Sequence, residues 1–541
     1  MNTMDQERTC TLSEFFFLVY FCLLSIAKAI GLDDGQMAYY ALVGIGLFFL
    51  ILKILSTEHS VFEYLWMMLL MILGLVIYRA TGQKGMLICF TVLVGMKNVS
   101  TRRVFRAGIV VWGSCFAALW LLSMTGVLKE QVWMHDKHGI GLTLCHSMGY
   151  PHSNVMHVVF LIVAMMACYL YERRDTRGEN NVAGKLYHKR LVLLTAFLLV
   201  MNVVVFFYSM SYTGVLACGI YLVLNLILAF RKRLTKAEKI LLELIFPACL
   251  LFICVGPLVI RGRLFDLINK ALTTRYYLSY FFLTEQPATL FGQRYNLDYH
   301  LTMDSSYIYL LRQYGIIAFA LVLALYAGLI RDEIRRDCRS ELAMTLGTCI
   351  AGTTEQFLFN TSYKNLSLIF AGTYLFYVSG RLESHLPEAL RKQKAFLSGH
   401  HDMAPFVITD RITRICSRIF SSGNIKKRSF GSLSLLALGI CLAWMALPRT
   451  KALYVDEDVN ELIDRPSYYF TSSDVQQMEK EGNMFYYYRG PDDPVYLYEG
   501  SPAELEYARH VLFAGLFSGG ASFMITGLFH AISKREKKTE D

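Results

Sequence analysis

The chain has 541 residues, 55% of them hydrophobic and only 18% charged, with a formal net charge of +10. Soluble proteins carry about a quarter charged residues, so this balance excludes an ordinary soluble enzyme. The positive charge does not mark a nucleic-acid binder either, because most Lys and Arg stand in short loops between apolar runs, where they set membrane orientation.

In chain order, the start from Met1 to Thr11 is polar and shows no small-residue cleavage site, so no cleavable leader is expected. A helix crossing a hydrocarbon core of roughly 30 Å needs about 20 apolar residues. Such runs, some of them short, stand at 15–30, 37–55, 61–78, 85–96, 104–126, 155–171, 191–209 and 212–230. Further runs stand at 240–260, 304–330, 341–359, 364–380, 430–447 and 508–531. They predict an all-α polytopic membrane protein of about fourteen spans.

Basic clusters recur in every second loop. The first is Lys97, Arg102, Arg103 and Arg106; the next runs from Arg173 to Arg190; the third from Arg231 to Lys239; the fourth from Arg331 to Arg339. The positive-inside rule makes these loops cytoplasmic, and with them both termini. The loops 127–154, 261–303 and 448–507 then face outward. The expected organisation is a membrane bundle over 1–380, a basic cytoplasmic linker over 381–429, two further spans within 430–531 and a tail over 532–541. Those two spans bracket a tyrosine-rich outward module, 448–507, with Tyr468, Tyr486, Tyr487, Tyr488, Tyr496 and Tyr498 and turn signals at Gly490-Pro491 and Gly500-Ser501-Pro502. Strands are expected around those tyrosines.

Thirteen cysteines lie almost entirely in apolar runs or basic loops, Cys145 excepted, without CxxC or Cys/His spacing. Neither a disulfide framework nor a structural zinc is expected, and no cofactor. His135, His138, His146 and His157 leave a surface metal as the lesser reading of their stretch.

The apolar runs carry few charges, which argues against a transporter with ionisable residues in mid-span. Lys28 and Glu63 stand near span ends and are expected to snorkel, while Glu355 stands beside a late span. Ionisable residues gather in the outward loop that begins at Arg261. Its Leu264, Leu267, Ile268, Ala271 and Leu272 repeat at three- and four-residue spacing, which predicts a helix along the membrane surface. Arg261, Arg263, Lys270 and Arg275 on this loop oppose the positive-inside trend. Guanidinium groups bind phosphate bidentately, as a lipid diphosphate at the interface would require. The plainer alternative is contact with lipid headgroups or loop carboxylates.

Several segments carry a resemblance. Leu272-Thr273-Thr274-Arg275, Leu290-Phe291-Gly292 and Asp304-Ser305-Ser306-Tyr307 through Tyr314-Gly315-Ile316-Ile317 come in order. Upstream are Met148-Gly149-Tyr150-Pro151-His152-Ser153-Asn154 and Ser211-Tyr212-Thr213-Gly214; downstream are Glu355-Gln356-Phe357-Leu358 and Asn365. Over about 85–380 the chain resembles the O-antigen polymerase and O-antigen ligase superfamily. That resemblance implies a GT-C-like bundle and an inverting, metal-independent glycosyltransferase of the bacterial inner membrane. Such an enzyme takes its glycan from a polyprenyl diphosphate carrier on the outer face. It assigns the catalytic role to Asp304 or His300 with Arg275, and substrate contacts to Arg261, Arg263, His152, Asn154, Tyr212, Glu355 and Asn365.

Two departures stand out. Tyr212 occupies the family's arginine position, a loss for which Arg261 or Arg263 would compensate, and Asp304 stands where the ligase branch has histidine. The second favours a repeat-unit polymerase of a surface polysaccharide such as a capsule, acting on polyprenyl-diphosphate-linked oligosaccharide beside other assembly proteins. The alternatives are a ligase of finished glycan, a flippase or exporter, and an assembly scaffold built on 448–507. Locally, Asp304 is also read as an N-terminal helix cap with Ser305, and Glu355 as a partner of Lys364 or an outward arginine.

Overall fold

The computed structural model describes residues 10–32, 35–128, 132–137, 141–173, 181–231, 233–272, 274–295, 303–356, 364–391, 393–394, 402–403, 425–447, 452–456, 484–490, 493–499 and 501–536. The chain divides into two compact units, each described by itself. The first is Met1–Cys115, Val158–Val203 and Tyr212–Phe406; the second is Phe116–His157, Val204–Ser211 and Val407–Asp541.

The helices follow the apolar runs. They are α1 (Leu12–Ala29), α2 (Met37–Leu55), α3 (Val61–Thr81), α4 (Gly85–Gly95), α5 (Thr101–Met124), α6 (Ser153–Glu172), α7 (Asn181–Ser209) and α8 (Tyr212–Phe230). Then come α9 (Lys236–Val259), α10 (Arg263–Ala271), α11 (Arg275–Thr284), α12 (Ser306–Arg335), α13 (Arg339–Ala351), α14 (Ser367–Glu383), α15 (Ile425–Ala446) and α16 (Ser501–Glu536). Their starts obey local chemistry. The Thr11 hydroxyl caps α1 by accepting the Glu14 amide at 3.2 Å, and Ser60 with Glu63, and Thr235 with Glu238, form capping boxes for α3 and α9.

Among the described residues ten helices are long and apolar enough to cross a membrane, so the chain is a polytopic helical membrane protein. The expectation of about fourteen spans exceeds that number. Four of the apolar runs fold into α4, α13, α14 and α16. The first three have 11, 13 and 17 residues. At 1.5 Å per residue they reach roughly 17–26 Å, short of a 30 Å core. The fourth has 36 residues and carries an uncharged stretch from Val511 to Leu528 after its charged opening, so its length does not argue against a crossing.

In the first unit, α1 packs on α2 where Gly46 lets Leu24 approach: a Cβ there would lie 2.6 Å from Leu24 Cδ1. Tyr20 on α1 shares a 2.6 Å hydrogen bond with Thr91 on α4. Phe105, Tyr169 and Phe370 bring α5, α6 and α14 into one aromatic cluster. Buried charge lies at one end of this bundle. Glu63 Oε2 accepts the Ser60 amide at 3.1 Å, meets His59 Nδ1 at 3.1 Å and pairs with Lys97. Lys53 Nζ donates to the Lys97 carbonyl at 2.6 Å. Glu63 therefore does not snorkel; it is 3% exposed and neutralised inside the protein.

Strands are few. Cys10–Thr11 (β1) pairs with Asp402–Met403, and His59–Ser60 (β2) with Gln393–Lys394. The stretch 381–429, read as a linker, thus docks two of its segments on the starts of α1 and α3, and Ser60 also donates to Glu383. Extended backbone next to a helix cap leaves unpaired groups, and these segments satisfy them.

In the second unit Val132–Lys137 (β3) and Gly141–His146 (β4) form an antiparallel hairpin within 127–154, where no strand was expected. Ala452–Asp456, Met484–Gly490 and Asp493–Glu499 form a three-stranded antiparallel sheet with Asp493–Glu499 central. The strands expected around Tyr486, Tyr487, Tyr488, Tyr496 and Tyr498 are these. In the same unit, α15 and α16 pack closely through glycine: a Cβ on Gly519 would lie 2.7 Å from Leu436 Cβ, which suits a small-residue membrane interface.

Removing one partner of a buried ion pair costs on the order of 3 kcal/mol. Glu63→Ala is expected to lower the melting temperature of detergent-solubilised protein by about 2 °C or more, while Glu58→Ala, at an exposed neighbour, leaves it unchanged. Equal melting of both variants would show that the Glu63 network adds no stability.

Candidate functional site

The charged site of the first unit is built around Arg275. Its position is set by the turn between α10 and α11. Thr274 adopts φ +67°, a left-handed conformation that β-branched residues avoid, and its amide bonds the Asn269 carbonyl at 3.0 Å. Asn269 Oδ1 in turn accepts the Tyr277 amide at 2.8 Å, satisfying one of the free donors of α11. Arg275 is the first residue of α11, and its side chain runs into the protein with 10% exposure.

Three acceptors meet that guanidinium. Nε donates to the Thr354 carbonyl at 2.8 Å and faces Asp304 Oδ2 at 3.3 Å, and Nη2 reaches Glu355 Oε1 at 3.3 Å. Thr213, in the first turn of α8, donates its hydroxyl to the same Glu355 oxygen at 2.7 Å. The turn after α13 and the start of α12 are tied together so that both carboxylates stay in place. The Ser306 amide donates to the Gly352 carbonyl at 2.9 Å, the Ser306 hydroxyl to the Glu355 carbonyl at 2.6 Å, and Gln356 Nε2 to the Met303 carbonyl at 2.6 Å. Asp304 does not cap α12. Ser305 holds the cap position, and the Asp304 carboxylate turns to Arg275. It is the open edge of the cluster, 30% exposed against 17% for Glu355.

Two carboxylates on one arginine would leave a net negative charge. Burial pushes the Glu355 carboxyl above the ordinary glutamate range, and neighbouring Asp304 adds to the rise; Arg275, Thr213 and Lys364 act against it without reversing it. A proton on Glu355 leaves Arg275 and Asp304 as a balanced pair, with Glu355 able to switch charge when another anion enters. Such a site can hold an anion on the guanidinium and take a proton at Asp304.

Compared with known protein families, with curated proteins and with solved structures, the chain shows no match. The assignment of roles therefore rests on geometry and chemistry.

Of the residues singled out from sequence, the structure brings together Arg275, Asp304 and Glu355, and sets Tyr212 next in the chain to Thr213, which bonds Glu355. Arg261 does something else: Nη1 donates to the Pro257 carbonyl at 3.2 Å and the guanidinium stacks 5.1 Å from the Tyr280 ring. Arg263 is exposed at the start of α10, whose Leu264 and Leu267 are also exposed, as a surface helix requires. The contacts of Asn365 are structural. Its amide donates to Tyr326 Oη at 2.7 Å and its Oδ1 accepts the Ser367 amide at 3.0 Å, fastening the start of α14. His300 lies outside the described residues. His152 and Asn154 belong to the second unit, where His152 Nδ1 accepts the Asn154 amide at 3.1 Å at the start of α6.

Sequence reading missed several polar residues. Thr213 stands in the segment Ser211–Gly214 beside Tyr212, and its hydroxyl, not Tyr212, bonds the Glu355 carboxylate. Arg312, inside the run at 304–330, and Glu333, in the basic stretch after it, are both buried in α12. In the second unit, His146, Glu506 and Arg509 surround a cavity of about 60 Å³. His146 Nε2 meets Glu506 at 2.9 Å, Arg509 pairs with Glu506, and Arg509 also donates to the Leu144 and Phe207 carbonyls, each at 2.9 Å. These bonds clamp the start of α16 to β4 and the end of α7. An apolar cavity of about 340 Å³ between α3, α4, α12 and α14 has no charged lining and suits a hydrocarbon chain rather than polar chemistry.

Because burial raises its pKa, Glu355 keeps its proton in the folded chain where the unfolded chain has released it. Stability should therefore fall as pH rises from the ordinary glutamate range through the raised folded value. Glu355→Gln keeps the size and removes the titration. The melting temperature of this variant relative to the unaltered protein is expected to improve steadily from about pH 4 upward. A difference that stays constant with pH would show that Glu355 titrates normally.

Proposed function

We propose that this protein polymerises lipid-linked oligosaccharide repeat units into a surface polysaccharide. It would do so by glycosyl transfer from a polyprenyl diphosphate carrier on the outer face of a bacterial inner membrane, within a GT-C-like bundle of about fourteen membrane-inserted helices. One observation carries the reading. Arg275, Asp304, Glu355 and Thr213, from four segments separated by up to 142 residues, converge on a single guanidinium and its partners. These segments are the ones whose residues resemble the O-antigen polymerase and ligase superfamily.

The chemistry follows from the arrangement. The hydroxyl of the acceptor sugar attacks the anomeric carbon of the donor as the bond from that carbon to the diphosphate oxygen breaks. Asp304, the exposed edge of the cluster, takes the hydroxyl proton. The electron pair leaves on the diphosphate, whose charge Arg275 offsets at the moment it develops. A protonated Glu355 lets the diphosphate approach an arginine that already faces one carboxylate. The amphipathic α10 and the exposed Arg261 and Arg263 lie along the lipid surface from which such a carrier arrives.

Arg275→Ala is expected to cut polymer synthesis by about 10²- to 10³-fold, with lipid-linked single repeats accumulating in extracted membranes. Arg275→Lys should restore only a part, since an ammonium lacks the planar fork. Undiminished long chains from a stably expressed Arg275→Ala protein would refute the proposal, and long chains held on their carrier would assign the ligase reaction instead. Separately, Asp304→Asn should lower turnover by about 10²-fold or more while leaving binding of the lipid donor nearly unchanged; turnover equal to the unaltered protein would move the base elsewhere.

A further inference from the structure

Arg312 stands in the π turn Leu310–Tyr314 of α12, inside a membrane-spanning helix, and is 7% exposed. Nη2 donates to the Leu283 carbonyl at 2.9 Å, near the C-terminal end of α11. Nε is buried without an acceptor. Its ionisable neighbours are Tyr295 and Cys254, neither of them a carboxylate, and among the described residues it forms no ion pair. Lys97, Arg103 and Arg509, also of low exposure, face Glu63, Glu14 and Glu506, while Lys53, 1% exposed, is held by the Thr57 hydroxyl and the Lys97 carbonyl.

A guanidinium does not release its proton, so burial cannot be relieved by neutralisation. A charge held in a span without a counter-charge is costly and is retained where it has a task. Depth indicates the partner. Arg312 lies six residues beyond Ser306, roughly 9 Å along the helix, and Ser306 is bonded to the turn that holds Glu355. The span has 30 residues, about 45 Å, so a core of roughly 30 Å centred on it begins near this turn, where lipid phosphates meet acyl chains. The site is separate from the Arg275 cluster, because α11 lies between: Arg275 begins it, and the Leu283 carbonyl near its other end orients Arg312.

We propose that Arg312 is a binding site for a phosphate carried on a membrane lipid. The phosphate can come from a prenyl diphosphate carrier or from bulk phospholipid, and only the carrier source rests on the function proposed above. The guanidinium is pre-oriented by Leu283, and the lipid phosphate supplies a counter-charge that no described residue provides, while its chain stays in the hydrocarbon.

The test uses the purified full-length protein in neutral detergent, titrated with farnesyl diphosphate, with farnesol as the phosphate-free control, and with short-chain phosphatidylglycerol. Farnesyl diphosphate should raise the melting temperature and farnesol should not. Arg312→Met should weaken the apparent affinity by about tenfold or more, and Arg312→Lys by less. Without lipid, Arg312→Met should melt no lower than the unaltered protein, because it removes an uncompensated charge along with one hydrogen bond. Stabilisation by farnesyl diphosphate alone names the carrier; equal stabilisation by phosphatidylglycerol names bulk phospholipid, and both support the phosphate site. Three results overturn it: no stabilisation of the unaltered protein by either lipid, unchanged affinity in Arg312→Met, or an Arg312→Met protein that melts well below the original or cannot be recovered folded. The last would make Arg312 a structural clamp between α12 and α11. None of these readouts depends on polymer analysis, so the site and the proposed reaction can fail independently.

Discussion

The first unit is organised by the demand that Arg275 be matched. A guanidinium with 10% exposure needs acceptors for its fixed fork of donors, and the chain supplies a carbonyl and two carboxylates from different segments. Meeting that demand dictates much else. The start of α12 must lie against the turn after α13, so Ser306 and Gln356 bond across it. The start of α8 must approach, so Thr213 reaches Glu355. Thr274 takes a left-handed conformation to aim α11, a local strain on the order of 1–2 kcal/mol that the surrounding bonds offset.

Charge is handled in three ways across the molecule. At the Glu63 end of the first unit Glu63 pairs with Lys97 and Lys53 donates to the Lys97 carbonyl, and the network closes the bundle. At the Arg275 cluster the balance depends on one proton, since two carboxylates share one arginine and burial favours the neutral form of Glu355. At Arg312 a cation has a carbonyl but, among the described residues, no counter-charge. A closed network is the signature of a frame. An adjustable balance and an open one are signatures of places where something charged arrives and leaves.

The helices that fall short of a full membrane crossing belong to the same design. α4 and α13 are buried along nearly their whole length, and α14 over its first six residues. The turn after α13 carries Thr354 and Glu355 to the Arg275 cluster. Non-helical backbone there is tolerated because Ser306, Gln356 and Arg275 satisfy its carbonyls and bond across it.

The sequence by itself determined the apolar runs, and with them the class of protein and the place of nearly every helix. Hydrophobic length is a local property, and caps such as Thr11, Ser60 and Thr235 announce helix starts within four residues. It also marked Arg275, Asp304 and Glu355, because ionisable residues beside spans are rare. What it left open were the pairings. Asp304 is equally good as a cap or as a counter-ion, and only the approach of Arg275 across the fold decided between them. Arg261 and Asn365 looked equivalent to the site residues until packing gave them a ring and a tyrosine hydroxyl as partners. Arg312 is inconspicuous in an apolar run because a long side chain at a span end normally reaches water; in the fold it is buried against α11, with the Leu283 carbonyl as its acceptor. Local pattern determines elements, whereas partners across tens to hundreds of residues are chosen by how those elements pack, and that choice exists only in three dimensions.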